Sequence, residues 1–107
     1  GLRSVTAPEV VMVDRSSRIP PPKGRVSRPW VAVDAASKAA VVSALACEGC
    51  SRAWLVTSRQ VGVQAARAAG VVPVAVSAMG GPSPDALLMA GAARVFVDLS
   101  DLQEVLP

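Results

Sequence analysis

The chain has 107 residues, 51% of them hydrophobic, a net charge of +3, two cysteines and no histidine. That length fits one domain, and no apolar run reaches the roughly 18 residues that a membrane-crossing helix needs. The chain therefore reads as soluble, with the compartment left open between cytoplasm and organelle matrix. With two tryptophans, one phenylalanine and no tyrosine, its core must be built from valine, alanine, leucine and methionine. That mixture suits buried parallel strands under small-residue helices.

Residues 1–28 carry six basic and two acidic side chains, whereas 29–107 carries five basic and six acidic ones. The basicity belongs to an N-terminal arm, and the body is nearly neutral. Within the arm, EVVMVD at 9–14 has almost no polar interruption and predicts a strand. It is followed by SSRIPPPKGRVSRP, whose three prolines at 20–22 and Gly24 exclude helix and central strand. The division expected is an arm over 1–28, containing that strand, and a compact α/β body over 29–107. A basic arm suits an anionic partner, RNA or an acidic protein. Stacking residues for RNA are absent except Trp30.

Trp30–Val33 reads as a small extended piece. Asp34 is a candidate N-cap for a helix over about 35–46, with positions 41, 42, 45 and 46 on one face. That helix ends at CEGC, Cys47 to Cys50. Two thiolates without histidine do not make a structural zinc site. A pair at a helix C-terminus also lacks the dipole that activates a thiol, so no metal is assigned to it.

Beyond this point strand and helix alternate: a strand at 53–56, a helix at 60–69 stopped by Gly70, and a strand at 72–76. Ser83 and Pro84 form an N-cap and first-turn pair for the helix DALLMAGA. A strand at 94–97 and an amphipathic turn at 100–106 close the series. Alternation of this kind predicts a small, Rossmann-like parallel sheet of about four strands with flanking helices and right-handed crossovers. Ligand sites in such sheets lie at the C-terminal strand ends. There the chain offers Asp14 with Ser16, then Thr57, Ser58 and Arg59, with Asp98 on a distant strand.

The run SRAWLVTSRQVGVQAARAAGVVPVAV, continued by SPDALLMAGAARVFVDLSDLQEVL, resembles the C-terminal region of the haloacid dehalogenase (HAD)-like superfamily. Upstream, VVMVDRSSRIPPPKGRVSRP resembles its first motif in the form found in sugar-bisphosphate and histidinol phosphatases. The resemblance implies a HAD-type fold and a phosphoryl-transfer site built on Asp-x-Asp-Gly-Thr. Asp14 matches the nucleophile of that motif. Ser16 stands where the acid/base belongs, Ser17 replaces the glycine and Arg18 the threonine. Ser58 occupies the place of a Mg²⁺-binding aspartate, Thr57 beside it is uncharged, and Lys38 matches the motif lysine by order only. The shortened middle implies that a cap and two flanking strands are absent, leaving the first strand at an open edge.

These departures remove the chemistry. An aspartyl nucleophile needs Mg²⁺ to neutralise the phosphate and a second acid to protonate the leaving group. Loss of the general acid alone costs roughly 10²–10⁴ in rate. Arg18 and Arg59 are placed to ion-pair with Asp14 or to fill the vacated anion site. The expectation is a non-catalytic interaction or scaffolding module with no cofactor, paired with other subunits or with its own copy. Arg18, Arg25, Arg28 and Trp30 are its candidate contact residues. The alternatives are a residual Mg²⁺-dependent phosphatase using Asp14, and a phosphate-binding domain using Ser58, Arg59 and Gln60 at a helix start.

Overall fold

A computed structural model describes residues 9–17, 19, 30–49, 52–77 and 81–97. Five strands form one parallel sheet: β1 (Val10–Asp14), β2 (Trp30–Val33), β3 (Ala53–Thr57), β4 (Val72–Val76) and β5 (Arg94–Phe96). Their order is β2-β1-β3-β4-β5. Three helices connect them: α1 (Lys38–Glu48), α2 (Gln60–Ala69) and α3 (Pro84–Ala90). A 3-10 turn at Arg15–Ser17 follows β1. The α/β class and the parallel sheet are those expected from the alternating pattern.

The sheet has five strands rather than four, and its edge is displaced by one. Trp30–Val33 pairs along β1 in parallel register, with Met12 opposite Val31 and Asp14 opposite Val33. β1 therefore lies between β2 and β3 and is not the edge strand. The reason is visible in its burial: all five residues of β1 are buried, as a parallel strand covered on both faces and flanked on both sides must be. Trp30–Val33 is only four residues long, so its own periodicity carries little weight.

The β2→β3, β3→β4 and β4→β5 connections all advance in one direction across the sheet. Right-handed crossovers then place α1, α2 and α3 on a single face. The buried side chains agree. Val41 of α1 and Ala65 and Ala66 of α2 pack with Val10, Met12 and Leu55. Val63 of α2 and Leu87 of α3 pack with Ala75. On the opposite face Val11, Val56, Val74, Val76 and Phe96 form a second apolar layer, with Trp30, Trp54 and Ile19 against it. Trp30, a candidate contact residue, is thus packed in its own chain's apolar layer.

Helix ends follow local chemistry, with one correction. Ser83 caps α3, its Oγ accepting from Ala86 N at 3.2 Å, with Pro84 in the first turn. α2 stops at Gly70, whose φ of 78° is left-handed. Asp34, however, does not cap α1. The cap is Ser37, whose Oγ accepts from Ala40 N at 3.2 Å. Asp34 Oδ1 instead accepts from Ala36 N at 3.2 Å, closing a turn that buries Ala35 before the helix begins. Both residues are good caps, and tertiary placement of Ala35 decides between them. Cys47 is exposed in the last turn of α1, and Cys50 lies outside the described residues.

Leu55 is fully buried in the centre of β3 beneath α1 and α2. Leu55→Ala should lower unfolding free energy by about 2–5 kcal/mol, read as a reduced urea midpoint at unchanged slope.

Candidate functional site

The sheet's strand order reverses between β1 and β3, and in doubly wound folds the crevice beyond those two C-terminal ends is the ligand position. In this chain β1 ends on Asp14, and β3 ends on Thr57 and runs through Ser58 and Arg59 into α2. The candidate site is therefore assembled from two strand ends, a 3-10 turn and a helix start.

Asp14 is 0% exposed, and a buried carboxylate requires a partner. Arg59 supplies it in a forked geometry: Nε donates to Oδ2 at 2.8 Å and Nη2 to Oδ1 at 2.9 Å. The Thr57 hydroxyl donates to Oδ2 at 2.8 Å and the Ser17 hydroxyl to the same oxygen at 3.0 Å. The backbone N–H of Ser16 donates to Oδ1 at 3.2 Å. Five donors thus converge on a group with about four lone-pair sites. Its acceptor capacity is used up.

The two hydroxyls are themselves held from behind. Ser58 N donates to Ser17 Oγ at 2.8 Å, and Arg59 N donates to Thr57 Oγ1 at 3.1 Å. Arg59 is the N-cap of α2 without a side-chain cap bond, and the Thr57 hydroxyl satisfies its amide instead. Among the described residues no buried side-chain nitrogen or oxygen lacks a partner.

Burial of Asp14 by itself pushes its pKa up. The hydrogen bonds from Arg59, Thr57 and Ser17, with the guanidinium charge, outweigh burial and hold it below its ordinary value of 3.8. Arg59 is raised in turn, chiefly by its hydrogen bond to Asp14. The pair is ionised throughout the neutral range.

Of the residues singled out in the sequence, Asp14, Thr57, Ser58 and Arg59 come together. Ser16 joins them through its backbone N–H, while its side chain is exposed. Gln60 is exposed at the first position of α2. Arg18, Arg25, Arg28 and Asp98 lie outside the described residues. Ser17 was not a candidate, yet its hydroxyl bridges the turn, Asp14 and the start of α2. Its signal in the sequence is a hydroxyl three residues after a strand-end aspartate, the reach of one tight turn. Lys38, the match by order to a motif lysine, begins α1 and makes no described contact with Asp14.

The resemblance implies Mg²⁺ at this place, and the residues present do not fit it. Mg²⁺ needs near-octahedral oxygen ligands. Both Asp14 oxygens are occupied by donors, and a guanidinium stands where a cation would approach. Among the described residues no three His, Cys, Asp or Glu side chains are grouped as a cation site. Comparison with family models, with curated proteins and with solved structures returns no match to this chain.

Gly62 lies one turn into α2 against Thr57. A Cβ there would run into Thr57 Oγ1 and would stand 2.8 Å from Thr57 Cβ. Gly62→Ala should push the helix off the strand end and destabilise the chain by about 1–3 kcal/mol, although alanine is the better helix former. Thermal unfolding reads the sign.

Arg59→Met leaves the Asp14 carboxylate buried without its counter-charge, and should cost on the order of 3 kcal/mol. In the parent chain Asp14 titrates lower folded than unfolded. Its contribution is complete above the unfolded value, near 3.8, and is lost as pH falls from there through the folded value. In Arg59→Met the loss should begin at higher pH, because burial then dominates. Urea unfolding between pH 2.5 and 7 measures both.

Proposed function

We propose that this chain is a non-catalytic, HAD-like α/β interaction module whose phosphoryl-transfer site has been converted into an internal ion pair. One observation carries the reading: the only candidate nucleophile, Asp14, accepts five hydrogen bonds from its own chain, two of them from Arg59. A carboxylate so engaged has no lone pair directed at an incoming phosphorus. Positions 16 and 58 carry serine where an acid/base and a metal ligand would act, and serine does neither at neutral pH.

With the crevice occupied from within, what remains available is surface. Leu88 is 50% exposed and Met89 89% exposed on α3. The sheet also ends in open strands, β2 on one side and β5 on the other among the described residues. Open apolar edges favour pairing with a further chain. These features support an accessory subunit in a larger assembly.

Light scattering and affinity capture on the same preparation, with a phosphatase assay alongside, test the proposal. The expected outcome is a defined complex or oligomer. Mg²⁺-dependent hydrolysis of p-nitrophenyl phosphate should stay at the buffer rate and be indifferent to Asp14→Asn. Turnover that requires Mg²⁺ and disappears in Asp14→Asn would establish the residual phosphatase instead.

A further inference from the structure

We draw no further inference here: the strongest candidate, the apolar patch of Leu88 and Met89 exposed on α3, carries none because nothing in the structure shows what covers it.

Discussion

The carboxylate of Asp14 cannot be buried at the end of β1 unless something answers its charge, and that requirement organises the surrounding structure. Its donors come from the turn at residues 15–17, from the last residue of β3 and from the residue that opens α2. Each of these segments is thereby held at a set distance from β1. The ladder between β1 and β3, with Val13 opposite Val56, brings Asp14 level with Thr57. From there only a side chain as long as arginine, starting two residues further on, can fork onto both carboxylate oxygens. Gly62 then lets α2 lie close enough to press on Thr57. Ion pair, hydroxyl network and helix approach are one cooperative unit, in which losing a member exposes the others to an unmet charge.

Parallel sheets create a crevice where the strand order reverses, and a chain must either use that crevice or fill it. Here the crevice is filled by Arg59. An active site of the phosphoryl-transfer kind keeps its carboxylates directed at a metal ion and a substrate, and tolerates their repulsion until those arrive. Here positions 16 and 58 carry serine and Arg59 is turned onto Asp14, so no carboxylate repulsion remains to be relieved. The proposed role moves the working surface away from the strand ends to the side of the sheet. That side ends, among the described residues, in the edge strand β2.

How much of this was legible in the sequence depends on whether a signal was local. The Ser83–Pro84 helix start, the Gly70 stop and the valine-rich strands are decided within a few residues, and all of them appear where the sequence places them. The start of α1 was less legible. Asp34 and Ser37 are equally good caps in isolation, and the choice falls to Ser37 because Ala35 is drawn into the core. At the site, Asp14, Thr57 and Arg59 were found because strand ends can be located. Ser17 was missed: its spacing from Asp14 marks a reachable hydroxyl, but its bond from the Ser58 amide forms only once β3 lies beside β1.

The sequence by itself determined the class of fold, the alternation of strand and helix, and the presence of serine rather than an acid at 16 and 58. These follow from side-chain periodicity and residue type, which need no knowledge of distant neighbours. Only the tertiary structure decided which strand stands at the edge and which arginine meets Asp14. Both depend on pairings across 19 to 45 residues of chain: β1 with Trp30–Val33, and Asp14 with Arg59. A carboxylate's fate is set by what surrounds it once water has been excluded. That surrounding exists only after the sheet has closed.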